Sequence, residues 1–590
     1  MRRLILPVSV LGSISVVQAS GGLDKAVDNF RLIDHQGVAH ELYYSSNRKA
    51  IVIGVHAVGC PAVTDAVSAL DALRARHGKD IEVLMLDPAA NANRDAIAAA
   101  VIQSKRTVPV MIDTSQLVGE GLNATRAGEV LVIDTKGWKL AYRGDPKGAA
   151  DAVGAVIAQQ PVKVASTAVQ GCAIAMPGLA QKKQYEKISY VKTIAPLLQE
   201  KCVTCHQEGG GAPWAMSSYE MVKGFSPMIR EVVRTARMPP WHADPHYQTF
   251  VDARVMSDEQ KRTLIHWIEA GSPRGEGSDP LIGRHSTATE WTLGTPDLIL
   301  EVPPFEIPAT GVVEYQYPRL KNPLDRDVWV RAIEAKPGST QTVHHIITHI
   351  EDPLAPMMRN SRQGNVQLGG WAPGETPNVY ATDTGAFLPK GTEFVFQMHY
   401  TPNGKATTDH SRVALYFNQE KPKYPIQTGA MLRTDFVIPA GDPAYTSKVE
   451  KTWTQDVVLY HLMPHSHVRG KAAKMTAFYP DGRMEVLLNV PRYDFNWQNI
   501  YKFDKEKTIP KGTRFVWEMT WDNSPQNLAN PDPTQAVKWG DQTFEEMGIG
   551  WMSYRNLGES ADDLLRAREV KRQKMAQDEA KKAASPAAGQ

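Results

Sequence analysis

Cysteine is scarce in this chain, and its placement excludes one class of fold for most of the length. The 590 residues contain four cysteines, and none follows Cys205. The larger C-terminal part therefore cannot be a disulfide scaffold, so apolar packing must stabilise it. A typical domain size of roughly 150 residues predicts three or four domains for a chain of this length.

An excess of charge and a long apolar segment are also missing. Lys and Arg number 66 and Asp and Glu 64, which gives a formal net charge of +2. This balance gives no reason to expect a nucleic acid or an anionic membrane as a partner. Beyond the N-terminus no run approaches the roughly 18 apolar residues that a membrane span needs. We therefore predict no membrane span.

The N-terminus has the pattern of a secretory signal peptide. Arg2 and Arg3 precede the apolar run Leu4–Val17, and small residues around Ala19 complete a cleavage site. An ordinary buried first strand is the alternative. We predict a signal peptide over 1–19 and a mature protein that is periplasmic or secreted.

The periodicity of the remaining sequence changes along the chain, which predicts several domains of different class. Strand-like runs such as Ala50–Val55 first alternate with helix-like runs such as Ala66–His77, a pattern typical of an α/β fold. Short helices follow, and then short alternating strands separated by Pro–Gly turns, as in β-sandwiches. The predicted segments are an α/β domain (22–160), a linker (161–185), an all-α domain (186–285), two all-β, jelly-roll-like sandwich domains (290–420 and 421–557) and a helical charged tail (558–590).

A short repeat links the two predicted β domains. Leu388–His399 resembles Ile509–Thr520, and the same offset carries His344 onto His465. Two domains of similar build are the simplest interpretation. A chance similarity of one turn and one strand is the alternative.

Cys202-Val-Thr-Cys205-His206 is the attachment pattern of a c-type haem. Two thiols add to the two vinyl groups of one porphyrin, and the next residue offers an imidazole to the iron. A redox or zinc-binding C-x-x-C is the alternative. Met238 is the predicted sixth ligand, since a thioether opposite His raises the reduction potential. Its competitors are Met216, Met221, Met228 and His242.

The surrounding segment resembles small class I cytochrome c domains. The resemblance runs from Ile194-Ala-Pro-Leu-Leu to Trp267-Ile-Glu-Ala-Gly. It implies an all-α domain that binds one covalent haem c.

Histidine and methionine clusters recur in the β half. His465 and His467 form an H-x-H, which on a strand projects both imidazoles from one face. His344 and His345 are adjacent and need a bend to share an ion. Two imidazoles with a thioether favour Cu(I), and three imidazoles hold both copper states. Taken singly, each cluster is more simply structural, and zinc is a further alternative. The remaining candidate ligands are His399 and Met547.

These motifs together resemble the copper type II, ascorbate-dependent monooxygenases, the family of the peptidylglycine α-hydroxylating and dopamine β-monooxygenases. The motifs are Val343-His-His-Ile, Gln397-Met-His-Tyr400, Pro464-His-Ser-His-Val468 and Trp539-Gly-Asp-Gln-Thr-Phe-Glu-Glu-Met547. The resemblance covers about 290–557 and implies two β-sandwiches beside a solvent-filled cleft. It implies hydroxylation of a C–H bond with O₂. The implied ligands are His344, His345 and His399 for an electron-transfer copper, and His465, His467 and Met547 for the catalytic copper.

Two positions depart from the family pattern and bear on the substrate. Met463 stands where the peptide-processing members have an Arg that anchors a carboxylate, and Trp551 replaces a substrate-binding Tyr. A glycine-extended peptide is therefore not the expected substrate, and we predict a small apolar or aromatic molecule. His349 and His461 are interpreted as structural or as partners of the ligands.

The first domain resembles thioredoxin-like and peroxiredoxin-like domains at Val58-Gly-Cys60-Pro61, with Pro109 expected to be a cis-proline beside the cysteine. Val63 replaces the second Cys of a C-x-x-C, and Ala57 replaces a peroxidatic Thr. Cys60 and Cys172 remain candidate redox thiols that could pair with each other. A docking domain without redox activity is the alternative.

We therefore predict a periplasmic dicopper monooxygenase with a fused haem c and two copper ions as cofactors. The haem would supply electrons to the His344 copper. Its own electrons would come from an external cytochrome, a quinol-linked donor or an ascorbate-like reductant. A non-catalytic electron-transfer or copper-handling protein is the alternative function.

Overall fold

The computed structural model describes residues 23, 25–283, 290–355 and 364–584. The predicted signal peptide over 1–19 lies outside these residues, as do the last six residues of the tail. The chain forms two compact units. The first contains the chain up to Asn29 together with Ser45–Ala180, and the second contains Phe30–Tyr44 together with Gln181–Gln590.

An early hairpin belongs to the second unit. It consists of β1 (Arg31–Ile33) and β2 (Ala39–Glu41), which pair antiparallel. Asn489 donates a hydrogen bond to the Gly37 carbonyl at 3.0 Å, and Tyr44 donates one to Asp522 at 2.7 Å. These contacts hold the hairpin on the β half of the second unit.

The first unit is built on one five-stranded sheet. Its strands are β3 (Ala50–Val55), β4 (Ile81–Asp87), β5 (Val110–Ile112), β6 (Val130–Asp134) and β7 (Lys139–Gly144). Its helices are α1 (Ala62–His77), α2 (Arg94–Gln103), α3 (Leu117–Leu122), α4 (Pro146–Ile157) and α5 (Pro177–Ala180). Every residue of β3 is buried, as expected for a strand with both faces of its sheet covered.

The strand order of this sheet is that of a thioredoxin-like fold. The order is β5-β4-β3-β6-β7; β3, β4 and β5 run parallel, and β6 and β7 are antiparallel. A βαβ unit is thus joined to a ββα unit in one sheet. The α/β prediction for this segment is confirmed. The predicted linker over 161–185 packs on the sheet in part, since Arg143 in β7 and Ala165 are hydrogen-bonded through their backbones.

The prediction of a cis-proline beside Cys60 was wrong. Among the described residues only the Met238–Pro239 bond is cis. Pro109 precedes β5, an edge strand separated from β3 by β4. The position beside the cysteine precedes β6 instead and is held by Gly128, where a Cβ would come within 2.7 Å of the Ala62 Cβ.

The described residues from 181 to 283 form helices and no strand. The helices are α6 (Lys182–Tyr185), α7 (Ala195–Lys201), α8 (Tyr219–Gly224), α9 (Ser226–Arg234) and α10 (Asp258–Glu269), with a π-helical turn at Tyr190–Ile194. Ser257 and Gln260 form a capping box that fixes the start of α10. Trp267 on α10 is fully buried, and its indole N–H donates to the Pro273 carbonyl at 2.9 Å. Tyr190 stacks on this indole, so buried aromatic side chains form the centre of this small core.

The first β-sandwich packs two sheets around one core. Its strands are β8 (Leu298–Glu301), β9 (Phe305–Ile307), β10 (Arg319–Lys321), β11 (Val328–Lys336), β12 (Val343–Glu351), β13 (Val366–Trp371), β14 (Asn378–Val379), β15 (Thr384–Leu388), β16 (Glu393–Tyr400), β17 (Thr407–Asp409), β18 (Arg412–Phe417) and β19 (Tyr424–Pro425). One sheet has the order β10-β16-β12-β13 and the other β19-β15-β11-β18-β8. Both sheets contribute to the core, for example Ile346 and Phe396 from one and Ile333 and Leu415 from the other.

The second β-sandwich follows, and a long helix ends the described chain. Its strands are β20 (Gln427–Leu432), β21 (Val437–Ile438), β22 (Tyr445–Thr452), β23 (Val457–His465), β24 (Gly470–Phe478), β25 (Met484–Val490), β26 (Tyr501–Ile509), β27 (Arg514–Trp521), β28 (Val537–Lys538) and β29 (Ile549–Asn556), followed by α11 (Ala561–Ala584). The sheets have the orders β20-β29-β23-β26 and β22-β27-β24-β25. None of the helices in the described parts of the chain has the length and apolar character that crossing a bilayer requires.

Candidate metal centres

The first histidine cluster is built on a β-bulge. Strands β12 and β16 pair Val343 with Tyr400 and His345 with His399, so His344 is the extra residue between two paired positions. A bulge turns neighbouring side chains toward the same side. The bend that adjacent histidines need to share an ion is therefore present.

The three imidazoles of this cluster meet at their Nδ1 atoms. The His344 Nδ1 atom lies 3.3 Å from that of His345 and 3.2 Å from that of His399. One ligand atom from each residue lies within 4.8 Å of the others. The set could hold one metal ion with three nitrogen ligands.

Burial keeps these rings neutral, which metal binding requires. Burial lowers the pKa of His344 to about 4, with a smaller contribution from His465. Burial and the neighbouring imidazoles hold the pKa values of His345 and His399 well below the ordinary range. The buried Nε2 atoms of His344 and His345 have no hydrogen-bond partner. When Nδ1 is the ligand atom, the ring proton lies on Nε2, and in these two rings that buried N–H has no acceptor among the described residues.

The second cluster presents the opposite ring nitrogens. His465 ends β23, and its Nδ1 lies 2.8 Å from the Gln498 amide oxygen. The His467 Nδ1 lies 3.1 Å from the Glu545 carbonyl. Both acceptors require a proton on Nδ1, so each ring keeps Nε2 as its free acceptor. The two ring centroids are 5.4 Å apart.

A buried carboxylate ties the second cluster to the segment of Met547. Glu546 is fully buried and accepts from the backbone N–H groups of His467 at 2.9 Å and Arg469 at 2.7 Å, and from the Ser466 hydroxyl at 2.9 Å. Because Glu546 precedes Met547, these bonds bring the methionine, itself buried, next to the H-x-H turn. Burial raises the pKa of Glu546 to about 7.

One tryptophan links the same two segments a second time. The Trp521 indole N–H lies 2.9 Å from the Ser466 hydroxyl oxygen and 3.2 Å from the Met547 carbonyl. Sequence reasoning missed Glu546, Gln498 and Trp521. The Glu-Glu-Met547 run was the only sequence signal for any of them.

The two clusters are close together, with an aromatic ring between them. Phe495 stacks on His344 at a centroid distance of 4.7 Å and meets His467 edge-on at 6.0 Å. Its distance to His399 is 5.9 Å. One side chain, Phe495, therefore contacts both clusters.

A cavity of about 50 Å³ lies beside the clusters. His345 and Gln498 line it, together with Met463 and Trp551. These last two are the positions at which the sequence departs from the pattern of the peptide-processing enzymes. The partly buried Glu375 also lines the cavity, and burial raises its pKa to about 7. His461 lines the same cavity and is not part of either cluster.

The C-x-x-C-H motif follows α7, and its geometry suits haem attachment. Cys202 and Cys205 are free and partly buried. The His206 Nδ1 lies 3.0 Å from the Trp214 carbonyl, which places the proton on Nδ1 and leaves Nε2 for an iron. Two free thiols and an oriented imidazole match the donor set that a c-type haem needs.

The candidate sixth ligands differ in exposure. Met238 is partly buried in the turn after α9, where its backbone N–H donates to the Val232 carbonyl at 3.1 Å. Met221 and Met228 are exposed, whereas Met216 is buried and donates its backbone N–H to the His206 carbonyl at 2.8 Å. His242 is buried, and burial lowers its pKa to about 4. Met238 stays the predicted ligand.

In the first unit, Cys60 and Cys172 form a disulfide. Cys60 is buried just before α1, and Cys172 is exposed. An open pocket of about 670 Å³ adjoins the bond and is lined by Cys172, Arg126 and an ion pair of Glu129 with Arg143. The predicted pairing of these two cysteines is confirmed.

Comparison with known proteins finds partial similarity. No protein-family model matches the chain. A hypothetical protein from Sinorhizobium meliloti is 20% identical, with 26% of this chain and 95% of that chain covered and a TM-score of 0.25. Peroxidoxin BcpB from Mycobacterium tuberculosis is 16% identical, with 23% and 97% covered and a TM-score of 0.21. A thiol-disulfide oxidoreductase from Bacteroides fragilis is 17% identical, with 20% and 89% covered and a TM-score of 0.18. The thioredoxin-like assignment of the first unit rests on its strand order.

Proposed function

We propose that the second unit is an exported dicopper monooxygenase that hydroxylates a C–H bond of a small organic substrate with O₂ and receives electrons through its own haem c. The observation that carries the proposal is the pair of histidine clusters. Three Nδ1 atoms converge in one, and two rings with protein-fixed tautomers present Nε2 in the other. Met547 adds a soft ligand beside the second cluster, a set that favours Cu(I).

Copper held at these residues would supply the activation of O₂, which does not react readily with closed-shell substrates. The protein orients the ligands and excludes water. Gln498 and the Glu545 carbonyl hold the tautomers of His465 and His467, and Glu546 fixes the turn between them.

The cavity lining supports a small substrate of low polarity. Met463 and Trp551 offer a thioether and an indole where the peptide-processing enzymes have an Arg and a Tyr. Neither side chain carries a positive charge that could form an ion pair with a carboxylate. The haem segment supports electron delivery, because Cys202, Cys205 and the oriented His206 match a covalent haem.

The test is metal content followed by O₂ uptake on protein exported with the cytochrome maturation machinery. We expect two coppers per haem and substrate-dependent O₂ consumption from a panel of apolar molecules. Met547→Ala should abolish uptake, whereas Met484→Ala, at an exposed methionine, should not. Copper binding without uptake would leave the alternative of an electron-transfer or copper-handling protein. Zinc in place of copper would overturn both.

A second activity is favoured by the disulfide of the first unit. We propose that Cys60 and Cys172 exchange with an external dithiol. One thiolate of the external dithiol attacks the Sγ atom of the exposed Cys172. Cys60 then leaves as a thiolate at the start of α1, where the helix end favours negative charge. The second thiol of the external dithiol then attacks the mixed disulfide and releases Cys172. The external dithiol has become a disulfide, and Cys60 and Cys172 are both reduced to thiols.

The segment that carries Cys172 is also held without the disulfide. Ala127 donates its backbone N–H to the Cys172 carbonyl at 2.9 Å, and Ile174 donates to Thr125 at 2.8 Å. Reduction by a small dithiol should therefore proceed in folded protein and reverse on oxidation, as measured by thiol alkylation and mass spectrometry. Reduction only after denaturation would identify a structural disulfide, which for a sequence separation of 112 residues stabilises the fold by about 5 kcal/mol.

A further inference from the structure

The loop between β25 and β26 contacts both histidine clusters and the segment that follows Met238. It comprises residues 491–500 and will be called the bridging loop. One end lies against the segment that follows Met238, its centre lies between the histidine clusters, and Gln498 holds a ring of the second cluster. None of these contacts follows from the family resemblance, which does not include a haem domain.

On the haem side, the contact is made two residues after Met238. Asn499 is buried and donates its amide N–H to the Pro240 carbonyl at 3.1 Å. The Arg254 guanidinium also donates to the Asn499 amide oxygen. Next to it, the Trp241 indole packs edge-on against Tyr501 at a centroid distance of 5.0 Å. The helical segment and the bridging loop are thus joined by buried polar and aromatic contacts.

Toward the second histidine cluster, the contact is made by Gln498, the residue before Asn499 in the chain. Gln498 is buried and accepts from the His465 Nδ1–H at 2.8 Å. Asn499 and Gln498 are neighbours in the chain. A short route of covalent bonds and two hydrogen bonds therefore joins the Met238–Pro240 segment to the His465 imidazole.

The first cluster has a different connection to the loop. Phe495 stacks on His344, and the contact is a ring–ring contact without a hydrogen bond. From Asn499, a route to the first cluster must follow the backbone for four residues before it reaches this ring. The route through Gln498 is shorter and hydrogen-bonded at both ends.

We infer that Asn499 and Gln498 form the electron entry route, and that electrons from the haem reach the His465/His467 centre before the His344 centre. The inference rests on the proposed function. In the step, ferrous haem iron loses one electron and becomes ferric, and Cu(II) becomes Cu(I). No atom or proton is transferred. The order differs from the sequence-based expectation that the haem supplies the His344 copper.

Flash reduction tests the route in the intact haem- and copper-loaded protein. A light pulse on a soluble ruthenium sensitiser reduces the haem, and the return of the ferric absorbance reports transfer to Cu(II). We expect the fast phase to survive His344→Ala and to be lost in His467→Ala. Asn499→Ala and Gln498→Leu should also lose it, with the haem potential and the haem and copper content unchanged. Asn496→Ala, at an exposed asparagine of the same loop, is the matched control.

Gln498 has a second readout that does not involve turnover. Loss of an outer partner of a ligating histidine typically weakens metal binding by about tenfold or more. Gln498→Leu should therefore weaken copper binding at the second centre alone and change its Cu(II) electron paramagnetic resonance spectrum, and Gln498→Glu should restore both.

Each outcome decides between the alternatives. A fast phase that is lost in His344→Ala and kept in His467→Ala would place entry at the first centre and overturn the inference. An unchanged fast phase in both Asn499→Ala and Gln498→Leu would overturn it as well. Protein that carries no copper or no haem fails before the pulse, and that result overturns the proposed function itself.

Discussion

Both histidine clusters bring imidazole rings close together, but different structural features position the rings in each. In the first, three Nδ1 atoms converge at a β-bulge, and the buried Nε2 atoms of His344 and His345 have no hydrogen-bond partner among the described residues. In the second, Gln498 and the Glu545 carbonyl fix the tautomers, and a buried carboxylate fixes the turn. Candidate ligand side chains can therefore be positioned by backbone geometry, as in the first cluster, or by hydrogen bonds, as in the second.

This difference predicts different rigidity. A centre whose ligands are fixed by hydrogen bonds can support chemistry that needs one geometry, whereas a centre shaped by a bulge can tolerate two oxidation states. Substitutions at Glu546, His349 and Tyr315 test this difference.

Glu546 should be the most sensitive position of the second cluster. Glu546→Leu leaves the Ser466 hydroxyl and the His467 and Arg469 backbone N–H groups without their acceptor in a fully buried site. We expect a loss of about 3–5 kcal/mol in the free energy of unfolding, measured by chemical denaturation.

Glu545→Gln provides the control, because His467 bonds to the backbone carbonyl of Glu545 and not to its side chain. Stability close to that of the wild type is expected for it. Equal losses in both variants would mean that the carboxylate does not anchor the turn.

His349 lies on β12, the strand of the first cluster, and shows how burial of a histidine makes the free energy of unfolding depend on pH. Burial lowers its pKa to about 4. Between pH 6.5 and 4 the unfolded chain binds a proton on this histidine that the folded chain does not bind, so stability falls as the pH falls. His349→Leu should remove up to about 3 kcal/mol of this loss.

The measurement is denaturation of the metal-free protein across this pH range. His410→Gln, at an exposed histidine, should keep the wild-type slope. A slope that His349→Leu leaves unchanged would mean that the cluster histidines carry the whole acid sensitivity.

Tyr315 should give the smallest effect, confined to the first cluster. Its ring stacks on His399 at 4.6 Å and lies 5.6 Å from His345. Tyr315→Leu removes a stacking contribution of about 1 kcal/mol. Copper titration should show weaker binding at the first centre and unchanged binding at the second, and a shared loss would contradict the assignment.

Sequence periodicity predicted the elements better than their connections. The strand-like run Ala50–Val55 is a strand with the same bounds, and the helix-like run Ala66–His77 lies within α1 (Ala62–His77). The sequence similarity between the two β domains does not extend to the strand order of their sheets. Strand β16 pairs with β12, but β27, its counterpart, lies in the opposite sheet from β23. Local turn and strand preferences recur without a common pairing order.

The candidate ligands could be named from sequence because their residue types and spacing are rare together. Their supports could not. Gln498 and Trp521 are ordinary residues, 31 and 54 positions from His467, and only the folded sheets bring them to the site. The bulge at His344 is likewise set by pairing between β12 and β16, which no local pattern encodes.

The hairpin of Phe30–Tyr44 makes the second unit discontinuous in sequence. Gene fragments cut at the boundary near residue 181 would omit the Gly37 carbonyl and the Tyr44 hydroxyl, and Asn489 and Asp522 would lose those partners. The second unit is therefore discontinuous in sequence and cannot be transferred to another protein by a single cut. Any dissection or fusion must supply the hairpin as well, as a separate peptide or by circular permutation.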